Sequence, residues 1–230
     1  MRDRIIIALD FDRFEVAKNL VGKLEDAVFF KVGLQAYIKY GDQILTYLKK
    51  KKKKIFLDLK FKDIPNTVFW AVKSSLKYDP DFLTIHLSGG REMVEKAILA
   101  ASEKPGLKVL GVTVLTSLGD EDLKETGVSL DTESAVLKLC EMGIKAGLTS
   151  FVCSPKEIEP IKKNFGRDIT LVTPGIRPKW ASGKGDQKRV FTPEMAVEAG
   201  SDYIVVGRPI TASKDPVGAF GVILNEITSL

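Results

Sequence analysis

Short apolar runs rich in β-branched and aromatic residues recur along the chain, and between them apolar positions return every three or four residues. The runs predict eight strands, at residues 5–10, 28–33, 55–60, 82–87, 108–115, 149–153, 169–173 and 203–206. Successive starts lie about 28 residues apart on average, enough for a strand, two loops and a helix. The intervening segments carry helical signals. Asp12 and Glu15 have capping-box spacing, and Phe14, Ala17, Leu20, Val21 and Leu24 follow on one face. Leu34, Tyr37, Ile38, Leu45 and Leu48 predict a second stripe. Pro65 suits an early helical position ahead of Val68, Ala71, Val72, Ser75 and Leu76. Alternating β and α units predict a parallel sheet covered on both faces, and eight of them predict closure into a (β/α)₈ TIM barrel of class α/β; an open doubly wound sheet is the main rival. No linker rich in Pro, Gly or Ser divides the chain, so a single domain over 1–230 is expected.

Composition narrows the class without changing this picture. The 230 residues are 44% hydrophobic and 28% charged, which excludes disorder, collagen and a disulfide scaffold. No apolar stretch approaches the roughly 18 residues of a membrane span, and the run at 5–9 is too short for a signal core, so a cytoplasmic location is expected. Cys140 and Cys153 are isolated in apolar contexts and predict buried thiols rather than a bridge, and with His86 the only histidine a zinc site lacks ligands. The net charge of +5 is concentrated in six consecutive lysines at 49–54; without them the basic residues number one fewer than the 30 acidic ones. That run falls in a helix-to-strand connection, at the end of the barrel away from the expected site.

Barrels of this kind build their sites at the C-terminal ends of strands. Asp10, Lys31, Asp58, Lys60 and His86 fall there in the first four units, and Asp63 lies in the turn after the third. Asp58 and Lys60 are two apart and project to one face. Two lysines and two aspartates can neutralise one another in a barrel mouth. A structural ion-pair cluster is the plain alternative, but the position of all four at the substrate end favours a functional array. His86 reads as a hydrogen-bonding neighbour rather than a catalyst. After the seventh strand come Pro174, Gly175, Ile176 and Arg177 and a Gly- and Lys-containing segment to Arg189; the eighth ends in Gly207 and Arg208. Loops after strands seven and eight are the usual phosphate site, where backbone N–H groups and an arginine meet the anion. Neither a Walker loop nor G-x-G-x-x-G is present.

The segment DLKFKDIPNT at 58–67 resembles the signature of the orotidine 5′-phosphate decarboxylase family. The similarity extends through IALD at 7–10, FKVG at 30–33, VTVLTS at 112–117, TPGIR at 173–177, DQKRV at 186–190 and VVGRPIT at 205–211, in family order across nearly the whole chain. The resemblance implies a cofactor-free decarboxylation of a nucleotide, with Lys31, Asp58, Lys60 and Asp63 as a charged array and Lys60 the proton donor. It implies ribose contacts from Asp10 and Thr67, a pyrimidine contact from Thr116, and substrate or phosphate contacts from Arg177, Gln187, Gly207 and Arg208. It further implies a homodimer in which Asp63 and Thr67 reach the partner's site, with no metal, nucleic acid or membrane involved. Lys62 departs from a histidine or other residue found there in many relatives, without an expected catalytic consequence, and the lysine run is outside the family pattern.

The implied chemistry suits these residue types. Loss of CO₂ from C6 of orotate leaves charge in an in-plane orbital that the ring cannot delocalise, and a fixed ammonium beside C6 both stabilises that charge and supplies the final proton. Arginine is too poor an acid for the second task. Asp58 and Asp63 are expected to hold the lysines, and the loop at 175–189 to close over the phosphate. Two alternatives stand beside this reading. A metal-dependent sugar-phosphate decarboxylase or lyase would place the Asp-x-Lys-x-x-Asp carboxylates around Mg²⁺, and a noncatalytic nucleic-acid binder would act through the lysines at 49–54.

Overall fold

The computed structural model describes residues 1–181 and 191–229. Eight parallel strands close into a barrel in sequence order: β1 (Ile5–Ala8), β2 (Phe29–Gly33), β3 (Lys54–Phe61), β4 (Phe82–His86), β5 (Lys108–Val112), β6 (Ser150–Val152), β7 (Thr170–Thr173) and β8 (Tyr203–Val206). The pairing of Ile6 with Val205 joins the last strand to the first, which excludes the open sheet. The surrounding helices are α1 (Phe14–Lys23), α2 (Leu34–Lys50), α3 (Pro65–Ser75), α4 (Arg91–Ala101), α5 (Asp120–Glu125), α6 (Thr132–Lys145), α7 (Ile158–Phe165), α8 (Pro193–Glu198), α9 (Arg208–Thr211) and α10 (Pro216–Thr228). The long interval between the fifth and sixth strands holds both α5 and α6. No helix among the described residues is long and apolar enough to cross a membrane.

Period-2 alternation divides the apolar residues into two cores. Outward-facing positions such as Ile5, Ile7, Phe30, Leu57 and Leu83 pack beneath the helices. Inward-facing Ile6, Phe29, Phe56, Phe82, Leu110, Val172 and Val205 fill the barrel. Phe82 is the centre of this plug: its ring centroid lies 4.8 Å from Phe29 and 5.0 Å from Tyr203, both edge to face. The plug forms a floor, and whatever the next inward layer carries stands on it. Cys140 and Cys153 are buried and free, and burial pushes the Cys140 thiol up to about 12.

Two local expectations are corrected. Asp12 does not cap α1, whose N-cap is Arg13 with no side-chain bond; its carboxylate instead accepts from Gln35 Nε2 and Lys39 Nζ, both at 2.7 Å, on the next helix. The stripe on α2 is out of phase in its first half. Tyr40 is non-helical, at φ −156° and ψ 31°, with its hydroxyl bonded to the Phe11 carbonyl at 2.8 Å. The kink leaves Leu34 and Ile38 54% and 80% exposed; Leu45 and Leu48 are buried as expected, joined by Ala36 and Ile44.

The lysine run is built into structure at both ends. Lys49 and Lys50 finish α2, where cations favour the helix dipole. The Lys53 N–H donates to Leu48 O and the Lys52 N–H to Lys49 O, both at 3.0 Å, closing the helix in a Schellman motif. Lys52 holds its left-handed position, φ +54°, where glycine is the usual choice. Lys53 Nζ donates to the carbonyls of Glu25 and Ala27 at 2.6 and 2.7 Å, and burial lowers its pKa; Lys54 Nζ pairs with Asp3 at 3.3 Å. Within the run, the four lysines at 49–52 are exposed and Lys53 and Lys54 are partly buried.

Candidate active site

The layer above the aromatic floor is charged. Two residues beyond Phe29, Phe56 and Phe82 stand Lys31, Asp58 and Thr84, and two beyond Asp58 and Thr84 stand Lys60 and His86. Asp58 is the hub. Lys60 Nζ lies 2.7 Å from its Oδ1, Lys31 Nζ 3.3 Å from its Oδ2, and Thr84 Oγ1 donates to Oδ1 at 3.0 Å. Lys31 Nζ also lies 3.3 Å from Asp10 Oδ1, so Asp10, Lys31, Asp58 and Lys60 form one chain of alternating charge. Asp58 is only 7% exposed. Burial alone would raise its pKa, but the two ammonium groups and the Thr84 hydroxyl outweigh burial, and the carboxyl is held below its usual value. His86 is half-buried; burial and the nearby Lys62 and Lys60 lower its pKa, so it is neutral at pH 7.

The backbone is unusual where these side chains meet. Between Leu57↔Leu83 and Phe61↔Ile85 the register of β3 and β4 shifts, a step of four residues on one strand matching two on the other. Lys60 sits in this irregularity at φ +50°, and its amide, out of the ladder, donates to Thr84 Oγ1 at 2.9 Å. Thr84 was not among the residues expected at the site; its place two before His86 on the inward face is the signal that points to it. Gly33 likewise has a steric role, because a Cβ there would lie 2.8 Å from Lys31 Nζ and 3.2 Å from Asp10 Oδ1.

The remaining expected residues are more dispersed. Asp63 and Thr67 are exposed beyond β3; Asp63 Oδ1 accepts from the Ile64 N–H at 2.7 Å, and no ion pair joins it to a lysine among the described residues. Thr116 and Arg177 line a cleft of about 1170 Å³ over the ends of β5, β6 and β7, beside Ser154, Lys156 and Gly175. The lining of the cleft does not include the charged cluster. The Arg177 N–H donates to Phe191 O at 3.1 Å, tying together the two feet of the loop after β7. Gln187 and most of the expected lid lie outside the described residues. Gly207 is the N-cap of α9 and Arg208 its exposed first residue. A Cβ on Gly207 would meet only Ala8 Cβ, at 3.8 Å, so the space beside it is open. Among the described residues no group of three or more His, Cys, Asp or Glu is placed to hold a metal ion.

Comparison with known proteins places this geometry in a family. Residues 3–221 match the model described as the orotidine 5′-phosphate decarboxylase / HUMPS family. The chain is 40% identical to the orotidine 5′-phosphate decarboxylase of Gloeothece citriformis, with all of both chains covered. It is 45% identical to that of Idiomarina loihiensis over 97% of each. The crystal structure of orotidine 5′-phosphate decarboxylase from Lactobacillus acidophilus superposes with a TM-score of 0.86 at 38% identity, covering 97% of this chain and 98% of that one.

Proposed function

This chain belongs to the orotidine 5′-phosphate decarboxylase / HUMPS family, and from that premise we propose that it converts orotidine 5′-phosphate to uridine 5′-phosphate and CO₂ without a cofactor, acting as one domain in the cytoplasm. The observation that carries the reading is the buried Asp58 carboxylate between two ammonium groups, on an apolar floor and at the mouth of the barrel. As the C6–CO₂ bond breaks, its electron pair stays on C6. The Lys60 ammonium meets that charge and delivers its proton to C6; solvent then reprotonates Lys60. Asp58 holds Lys60 charged and aimed. Lys31 is shared between Asp58 and Asp10, and in this reading Lys31 and Asp10 offer the ribose hydroxyls a cation and an acceptor.

Arg208, Gly207 and Gln187 hold the phosphate, Arg177 is a further substrate contact, and Thr116 reads the pyrimidine edge. Contacts this far from C6 supply binding energy that draws the reacting carbon against Lys60. Asp63 and Thr67, both exposed, complete the site of a second copy in a homodimer. Family membership includes the sugar-phosphate branch, but the donor set speaks for the decarboxylase, since both oxygens of Asp58 are engaged by lysines rather than open to Mg²⁺. The exposed lysines at 49–52 lie at the opposite end, about 20 Å from the mouth by strand length, more than twice the Debye length of roughly 8 Å, and nucleic acid has no part in the reading.

The test is turnover of orotidine 5′-phosphate by purified protein in EDTA, alongside Lys60→Ala. Full activity in chelator, lost in the variant while uridine 5′-phosphate still binds, is the expected outcome. No turnover, or turnover restored only by a divalent metal, sinks the proposal. Mixing Lys60→Ala with Asp63→Ala is expected to restore part of the activity, because hybrid dimers regain one intact site.

A further inference from the structure

We propose that Thr84 is a positioning residue for the proton donor, acting through a closed ring of hydrogen bonds with Asp58 and Lys60. The ring is complete in the structure. The Lys60 N–H donates to Thr84 Oγ1 at 2.9 Å, Thr84 Oγ1 donates to Asp58 Oδ1 at 3.0 Å, and Lys60 Nζ returns to the same oxygen at 2.7 Å. One hydroxyl therefore fixes both the backbone and, through Asp58, the side-chain end of the same lysine. Each role uses a different property of the group: a lone pair receives the amide, and the single O–H proton is given to the carboxylate.

The need for such a residue follows from the local backbone. Lys60 lies in the left-handed region, φ +50°, at the register shift between β3 and β4. Its amide would otherwise be an unpaired polar group in the barrel mouth. Thr84 comes from the neighbouring strand, is 0% exposed, and as a β-branched residue has restricted χ1 freedom. It is thus a rigid post against which the irregular turn is held, and it is shielded from any ligand, so it acts only through Asp58 and Lys60. Valine has the same shape and lacks both hydrogen-bonding functions; serine keeps both.

The inference rests on Lys60 being the proton donor, and the experiment separates the two claims. Thr84→Val and Thr84→Ser are compared for kcat and KM with orotidine 5′-phosphate, for uridine 5′-phosphate affinity, and for hydrogen exchange at the Lys60 amide. A donor displaced by about 1 Å predicts a fall in kcat of about a hundredfold for valine. KM and nucleotide affinity are expected to stay within threefold, the Lys60 amide to exchange at least tenfold faster, and serine to recover kcat to within fivefold. Should Thr84→Val fail to fold, Thr84→Cys carries the same comparison, its thiol being a much weaker partner. Valine activity within threefold of the parent, equal damage from serine and valine, or unchanged exchange at Lys60 overturns the proposal. If the parent itself does not decarboxylate the nucleotide, the functional reading falls, and the exchange measurement alone decides the role of Thr84.

Discussion

Replacing Asp58 by asparagine removes the one carboxylate shared by Lys31 and Lys60 while keeping its size. With an effective dielectric constant of about 20, Coulomb's law gives roughly 6 kcal/mol for the contact to Lys60 at 2.7 Å and roughly 5 kcal/mol for that to Lys31 at 3.3 Å, before any burial cost. Desolvation of a carboxylate this deeply buried offsets much of that gross attraction. The relevant quantity is the cost of leaving ammonium groups without their partner, about 3–5 kcal/mol for a buried pair. Lys31 keeps Asp10 at 3.3 Å, and Lys60 is 29% exposed at its side chain, so the lower end applies, about 3 kcal/mol. For a chain of this size that corresponds to a melting temperature lower by about 6–12 °C. Thermal denaturation followed by circular dichroism at pH 7 reads it directly. Asp12→Asn is the control: its contact to Lys39 is as short, 2.7 Å, but exposed, and this variant is expected to melt with the parent. An Asp58→Asn protein melting within about 2 °C of the parent would refute the claim that the buried carboxylate is coupled to its lysines.

The pH dependence of that difference is fixed in sign. The Asp58 carboxyl is held below its ordinary value of 3.8 in the folded state, so its contribution is complete above that value and is lost as pH falls through the lower folded value. Melting curves of parent and Asp58→Asn should therefore converge only below about pH 4, and convergence between pH 5 and 7 would contradict it. Gly33→Ala has no backbone objection, with φ at −92°, but its Cβ would displace Lys31 Nζ from 2.8 Å; steady-state kinetics are expected to show kcat/KM lower by about tenfold, and parental kinetics would show that the lysine moves freely. Lys52→Gly relieves a left-handed lysine at the far end of the barrel. The relief of about 1–2 kcal/mol less the greater chain entropy of glycine gives a net gain of about 0.5–1 kcal/mol, read as a melting temperature higher by about 1–4 °C with activity unchanged.

The strands were legible because a parallel strand covered on both faces is a continuous apolar run, as in Ile5–Ala8, and such runs are visible without knowing the partners. The charged array was legible for a related reason. Alternation puts Asp58 and Lys60 on one face, and their place with Lys31 at the C-terminal ends of strands points to the mouth. What escaped depends on partners distant in sequence. Asp12 has the spacing of a cap, but Gln35 and Lys39 compete for the carboxylate from another helix. Nothing in the sequence of α2 marks Tyr40, whose bond to Phe11 accompanies the kink that turns Leu34 and Ile38 outward. The role of Thr84 escaped although its position on the inward face was readable, because a register shift is a relation between two strands and belongs to neither sequence alone.

The two ends of the barrel obey different rules because their charges face different solvents. At the mouth, the pleat that buries Phe29, Phe56 and Phe82 obliges residues 31, 58 and 84 to point inward on the next layer, so a charge there survives only with a fixed opposite charge or hydroxyl beside it. Each member therefore constrains the others, and substitutions among Lys31, Asp58, Lys60 and Thr84 should be strongly non-additive. At the opposite end, Lys49 to Lys52 are hydrated, and a strained residue such as Lys52 can be exchanged for its own local gain. The net charge of the chain is set by the end where charge is cheap. The chemistry is set where it is costly, and for that reason balanced to near neutrality by Asp10, Lys31, Asp58 and Lys60.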